Sequence, residues 1–354
     1  MKTRIRNCTK KLKKLNLDAI LIADPINIAY LTKFSAVGSY LLLTQDGRLI
    51  YFTNFLYKEA AEKINDWELV ISSNKHNIFN LTAERIKKLN LSTLGFEAKQ
   101  LPLLEYKTLN SHLSAAAIDF IETKDLVEEV RMIKDKQEII QIKKSIQVSK
   151  EAFEFAKEIF DPAMSEKDLS IEIERFLSLK GDREIAFPSI VASGKNTVFP
   201  HHQSSDKKLS NEILLIDLGS KYYGYCADLT RVFFWSKIPL LLRKIYDTVR
   251  KAGDESIKKI RDGVKASQVD AVARKIIDKK GWGKYFGHGL GHGVGLCVHE
   301  PPMIGPNCDQ VLKEGMVVTI EPAIYFKNKF GVRLEEMVLV KKSKGEVLSG
   351  NFHR

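Results

Sequence analysis

The sequence predicts two domains, an α/β domain over residues 1–122 followed by an α+β domain over residues 123–354. Three observations lead there. The length of 354 residues exceeds one average domain and suits two. Short β-rich runs alternate with helical patterns as far as residue 122. Beyond it, a long helical segment leads into a strand-rich stretch interrupted by two helices.

In the first domain DAILIAD, SYLLLTQ, RLIYFT, WELVIS, TLGFEA and AIDFIE are short, rich in β-branched and aromatic residues, and read as strands. NIAYLTKF, YKEAAEKIN, NLTAERIKKLN and LLEYKTLNSHL fit between them as helices. That alternation predicts a mostly buried sheet. The domain contains no glycine-rich phosphate loop, and its histidines, His76 and His112, stand isolated. Its expected role is structural or substrate-shielding.

The junction is LVEEVRMIKDKQEIIQIKKSIQVSKEAFEFAKEIF, apolar at every third or fourth position and broken near Pro162. Ser165 and Asp168 stand at capping-box spacing ahead of a second helix, LSIEIERFL. Strands follow in IAFPSIVAS, EILLIDLG, GYCADLTRVFFW, MVVTIEPAIYF and VRLEEMVLV. Helices over 239–262 and 266–280 interrupt them, the second closed by Gly281.

Composition narrows the function. No stretch approaches 18 consecutive apolar residues, and the N-terminal AILIA is too short for a signal or a membrane span, so a soluble, cytoplasmic protein is expected. Four cysteines show no zinc spacing and read as free thiols. The net charge of +12 comes from lysines dispersed along amphipathic segments, with no run of five like charges, which reads as solvated helix faces rather than a nucleic-acid footprint. HEPPM is not HExxH, the glycines at 287–295 never complete GxGxxG, and no P-loop lysine pattern occurs.

The chemistry lies in acids placed inside apolar strands. Asp217 closes ILLIDLG and Asp228 interrupts YCADLTRVFF; Glu321 closes VVTIEP, and Glu335 and Glu336 interrupt VRLEEMVLV. A carboxylate so placed costs several kcal/mol unless it is paired, protonated or bound to a cation. The repeated pattern suggests two similar hairpins presenting acids to one place, where like charges need a cation to stay ionised. Arg231 and Arg333 lie one in each hairpin, too few to balance the acids. GHGLGHGVGLCVHE adds three histidines, His288, His292 and His299, among glycines. Carboxylate oxygens with one or two imidazoles suit Mn²⁺, Co²⁺, Zn²⁺ or Fe²⁺. Spacing alone leaves open both a metal site and scattered surface acids.

At these residues the chain resembles the pita-bread metallopeptidases, the family of methionine aminopeptidase, aminopeptidase P and prolidase. The matching blocks are SIVASGKNTVFPHH, LLIDLGSKYYGYCADLTRVF, GHGLGHGVGLCVHEPP, EGMVVTIEPAIY and GVRLEEMVLV, in the family's order. The PHH block, the GLGHGVGLxVHE form and DPINIAYLTKF resemble the proline-specific branch with its creatinase/prolidase-type N-terminal domain. The resemblance implies a pita-bread catalytic domain with two divalent ions per chain, Mn foremost and Co, Zn or Fe as alternatives. It implies Asp217, Asp228, His292, Glu321 and Glu335 as ligands, with Asp228 and Glu335 bridging.

By the same resemblance Glu321, His288, His201 and His299 serve catalysis, and His201, His299, Tyr325 and Arg333 face the substrate. The implied reaction is hydrolysis of the bond between an N-terminal residue and proline by a hydroxide shared between the metals, with Glu321 relaying the proton. The compact length leans towards a dipeptidase rather than an aminopeptidase. A homodimer is the family's usual state, and no membrane or nucleic-acid partner is expected. One departure is Cys297, which stands where relatives often carry aspartate; Cys226 reads as a core thiol rather than a ligand. The alternative in another class is a non-catalytic scaffold on the same fold, its basic charge contacting nucleic acid.

Overall fold

The computed structural model describes residues 2–64, 67–73 and 77–350. The chain divides into two compact units, Met1–Arg131 and Met132–Arg354.

The first unit opens with α1 (Lys2–Lys14) and continues as β1 (Ala19–Ile22), α2 (Pro25–Thr32), β2 (Tyr40–Thr44), β3 (Leu49–Asn54), α3 (Lys58–Glu62) and β4 (Glu68–Ser72). It ends with α4 (Ile78–Lys87), β5 (Thr93–Glu97), α5 (Leu103–Ser114), β6 (Asp119–Thr123) and α6 (Glu128–Arg131). The strands form one mixed sheet in the order β4-β3-β2-β1-β5-β6. Every residue of β1 and β2 is buried and, Tyr40 and Thr44 apart, aliphatic, so these strands do not alternate. Tyr51 and Phe52 in β3 are fully covered, Phe52 contributing about 1.5–3 kcal/mol of transfer free energy. His112 sits in the last turn of α5, whereas His76 lies outside the described residues.

The first unit extends past residue 122 because α6 is tied back to α2. Asn27 Nδ2 donates to Glu128 at 2.9 Å, and Arg131 donates to Asn27 Oδ1 at 2.8 Å. The junction segment is therefore not one helix. Asp135 accepts from the backbone of Gln137 and Glu138 while Glu138 accepts from the Asp135 N–H, a capping box that starts a new helix, α7 (Lys136–Glu158).

In the second unit α7 packs on α8 (Glu166–Lys180), which carries the expected Ser165–Asp168 capping box. Next come β7 (Ile190–Ser193), β8 (Leu214–Leu218), the short pair β9 (Lys221–Tyr222) and β10 (Tyr225–Cys226), and β11 (Leu229–Phe233). A second helix pair follows, α9 (Leu240–Lys259) on α10 (Ala266–Lys279). The chain closes through β12 (Gly291–Gly293), β13 (Glu300–Ile304), β14 (Val317–Ile320), β15 (Ala323–Phe326), β16 (Phe330–Arg333), β17 (Glu336–Val340) and β18 (Gly345–Val347). The main sheets run β11-β8-β7 and β13-β12-β14-β17-β18, with β15 and β16 paired separately. The unit thus repeats a scheme, a helix pair and then a sheet.

Three runs that read as continuous strands are interrupted in the structure, each at an acid. Asp228 falls between β10 and β11, Glu321 between β14 and β15, and Glu335 between β16 and β17. A carboxylate in mid-ladder would be held perpendicular to the sheet among apolar neighbours; a break lets it turn aside. GHG and EPPMI, within and after the glycine-rich run, are strands that β-propensity does not reveal.

Behind β13 the buried Glu300 is paired with buried Lys134 at 2.7 Å. Lys134→Met would strand that carboxylate away from its cation, and a loss of about 3–5 kcal/mol is expected. Denaturant unfolding followed by circular dichroism measures it; an unchanged midpoint would contradict the pair's structural role.

Candidate metal centre

The site is built from the strand breaks upward. Asp217 lies in β8 and is paired in register with Thr230 of β11, bringing the first acidic hairpin together. Glu321 and Glu335 leave the ends of β14 and β16, and the Glu335 N–H is held by Thr230 O at 3.2 Å. The second hairpin is thereby joined to the first. His292 enters from β12, between β13 and β14. β12 can lie this close because residue 291 is glycine: a Cβ there would stand 2.1 Å from Thr319 O.

Three sets of donor atoms come within 4.8 Å of one another: Asp217, Asp228 and Glu335; His292, Glu321 and Glu335; and Asp228, His292 and His299. Glu335 and Asp228 each belong to two sets. None of the sets among the described residues includes a cysteine. The Cys226 thiol is pushed up to about 12 by burial, which keeps it protonated and supports its reading as a core residue.

The electrostatics are those of buried carboxylates crowded around one guanidinium. Burial, then the neighbouring carboxylates, raises Asp228 and Glu335 well above the usual carboxylate range. Burial also raises Glu321, opposed by Arg333. Arg333 donates to Asp217 Oδ2 at 2.6 Å, to Thr230 Oγ1 at 3.0 Å, to Tyr325 Oη at 2.8 Å and to Pro200 O at 3.2 Å. Thr230 in turn donates to Glu335 at 2.7 Å. Arg231 faces the other way, pairing with Glu336 at 3.1 Å. One guanidinium therefore serves four acids, and among the described residues Asp217 Oδ1 is buried with no hydrogen-bond partner. An unused oxygen and protonation-prone carboxylates are what a hard divalent cation would resolve, so the donor set fits such ions.

The imidazoles agree. Burial depresses His292 to about 4, so its ring is neutral and can offer a lone pair. Its Nδ1 faces Gly293 O at 3.1 Å, and its Nε2 lies 3.5 Å from Asp228 and 3.4 Å from Glu321. This leaves Nε2 as the acid-facing nitrogen, oriented by a carbonyl behind it. Burial likewise holds His288 at about 4.

All ten residues singled out in the sequence line one cavity of about 990 Å³: His201, Asp217, Asp228, His288, His292, His299, Glu321, Tyr325, Arg333 and Glu335. They differ in exposure. His292 is buried, His288 is half-buried and hydrogen-bonded to Tyr325 at 3.3 Å, and His201 and His299 are exposed. Of the two histidines in PHH, His202 also lines the cavity, and its Nε2 bonds Glu166 at 2.8 Å.

Sequence reasoning missed the supporting residues. Thr230 links the two hairpins, and Thr319 connects the His292 N–H to Glu321. Buried Glu166 bonds the Ser193 N–H, Asn196, His202 and Ser205, anchoring the loop that carries His201. Thr and Glu in these positions give no signal in one sequence, because an exposed cap or surface acid reads the same way.

Comparison with known proteins agrees with this architecture. Residues 140–342 match metallopeptidase family M24, and residues 4–133 match the creatinase/prolidase N-terminal domain. The chain is similar to the Xaa-Pro dipeptidase of Pyrococcus furiosus, 33% identical over 346 residues, covering 97% of this chain and 96% of that one. Among solved structures it resembles an Xaa-Pro dipeptidase from Bacillus anthracis, with a TM-score of 0.93, 32% identity and coverage of 99% and 97%. It also resembles an X-Pro aminopeptidase from Thermotoga maritima, with a TM-score of 0.87, 32% identity and coverage of 96% and 97%. Among the described residues no helix is long and apolar enough to cross a membrane.

Proposed function

Since the chain belongs to metallopeptidase family M24 and carries the family's creatinase/prolidase N-terminal domain, we propose that it hydrolyses the bond between an N-terminal residue and proline, with dipeptides as its preferred substrates. One observation carries the reading: five residues with oxygen and nitrogen donors of the implied ligand types converge in two overlapping sets and line a single cavity. The names of the relatives support proline at the second position, and two of the three are dipeptidases.

Asp217, Asp228, His292, Glu321 and Glu335 would hold two divalent cations, Mn²⁺ foremost, with Co²⁺, Zn²⁺ or Fe²⁺ as alternatives. Such ions, when bound, lower the pKa of water and polarise a carbonyl. The chain's own groups do the rest. Glu321 takes one proton from the attacking water as its oxygen bonds the scissile carbonyl carbon. It then gives that proton to the proline nitrogen as the C–N bond breaks, leaving a secondary amine and a carboxylic acid, which ionises by losing the water's second proton to solvent. Position favours this role, since Glu321 stands beside His292 and lines the cavity where a substrate would lie. His288, His201 and His299 face the substrate and stabilise charge that develops on the carbonyl oxygen. Tyr325 and Arg333 complete that wall, with Tyr325 bridging His288 to the guanidinium. A cytoplasmic homodimer is the form in which we expect the enzyme to act.

The substrate reading is tested with Leu-Pro, Leu-Pro-Gly and Leu-Ala in the presence of Mn²⁺. Leu-Pro should be cut fastest and Leu-Ala poorly. A faster Leu-Pro-Gly would make the protein an aminopeptidase instead. No cleavage of either proline peptide with Mn²⁺, Co²⁺ or Zn²⁺ would contradict the proposal and favour a non-catalytic scaffold.

A further inference from the structure

His288 is carried on a loop that no sheet holds. Residues 286–290 lie between a short 3-10 turn, Gly283–Tyr285, and β12, with a glycine on each side of His288. Such a segment loses much conformational entropy on ordering, so a fixed imidazole needs an external restraint. α10 supplies one. Asp270 and Arg274, one helical turn apart, form a two-pronged pair on its buried side, with Asp270 fully covered. Asp270 Oδ1 accepts from the Leu290 N–H at 3.1 Å. Arg274 donates to Phe286 O at 3.2 Å and to His288 O, and its guanidinium lies 4.6 Å over the Phe286 ring. The Phe286 ring meets the His288 ring edge-on at 5.1 Å.

The pair therefore grips the loop at three successive alternate residues, 286, 288 and 290. Neither its carboxylate nor its guanidinium contacts the acidic cluster. The other half of the unit repeats the device. On α8, Ser170 donates to Ser189 O at 3.1 Å and Glu174 accepts from the Ser189 N–H at 2.8 Å, just before β7. In both halves, side chains a turn apart on the second helix fix the backbone entering the first strand of the following sheet.

We propose that Asp270 and Arg274 are a positioning pair that aims the His288 imidazole into the cavity. The claim rests on the proposed peptidase reading for its rate prediction, though not for its structural one. Arg274 is the residue to vary, being partly solvent-exposed where Asp270 is not. Arg274→Met removes the grip; Arg274→Lys keeps the charge beside Asp270 but cannot reach both carbonyls. With Leu-Pro and Mn²⁺, each should lower kcat, Arg274→Met by about 10- to 100-fold, without changing the number of ions bound. The double variant Arg274→Met/His288→Ala should be no slower than His288→Ala alone.

A full rate in Arg274→Lys, or losses that multiply in the double variant, would overturn the proposal. Should Arg274→Met not fold, Arg274→Lys decides by the same comparison with His288→Ala. ¹⁵N-histidine spectra of the Zn²⁺-loaded protein give an independent reading. The His288 resonance should move in Arg274→Lys while that of His202 stays, and a stationary His288 would also overturn the claim. If the wild type cuts no Xaa-Pro peptide, the peptidase reading fails, and these spectra still judge the positioning pair.

Discussion

Glu321→Gln is expected to lower Leu-Pro turnover by about 10²–10⁴-fold while cations remain bound. The substitution keeps an oxygen donor at nearly the same volume and removes only the ability to hold and return a proton. Glu321 is suited to that task by its place at the end of β14. There its Oε1 lies 3.4 Å from both His292 Nε2 and Thr319 Oγ1, at the wall of the cavity. The measurement is kcat for the purified variant alongside its metal content. A full rate with metal bound would assign the proton transfer to another group, His288 and His201 being alternatives that line the same cavity.

Asp228→Asn has the opposite effect on stability and activity. Asp228 belongs to two of the three donor sets, so the variant should lose metal binding and peptidase activity together. In the metal-free protein it should be more stable than wild type by about 0.5–2 kcal/mol. Asp228 is buried beside Glu335, Asp217 and Glu321, and a neutral amide removes both the desolvation and the repulsion that raise its pKa. Divalent metal reverses the order. At 100 times Kd, ligand binding stabilises the wild type by about 2.7 kcal/mol, and the variant gains little. Thermal melts with chelator and with Mn²⁺ give all four values. A wild type that outlasts Asp228→Asn without metal would contradict the reading of the cluster as electrostatically strained.

Much of this centre was legible because it violates the ordinary pattern. Asp217, Asp228, Glu321 and Glu335 stand out as acids in apolar runs, and physical chemistry alone asks what neutralises them. The choice of His292 over His288 and His299 as a ligand came from family resemblance; spacing could not make it. In the structure His292 belongs to two donor sets and His299 to one. The strands of the first unit were legible from β-branched and aromatic runs, since β1 to β3 are buried on both faces.

Other features left no such trace. The strand breaks at Asp228, Glu321 and Glu335 depend on where the chain must release a side chain from the ladder, a tertiary requirement. β12 consists of Gly-His-Gly, which has no intrinsic preference for a strand and is held by its neighbours β13 and β14. The capping box at Asp135 and Glu138 was readable in KDKQE but was hidden within a longer helical periodicity. Arg274 and Glu166 carry no mark in the sequence that separates them from other helical charges, yet both bond the backbone of loops that line the cavity.

As proposed, the acidic cluster is a two-cation centre on which peptidase activity depends. Titrating Mn²⁺ into chelator-stripped protein, with calorimetry and Leu-Pro cleavage followed on the same samples, decides it. Two ions should bind per chain, and activity should be absent from the stripped protein and return as they bind. Binding of no ion, or undiminished cleavage by the stripped protein, would contradict it.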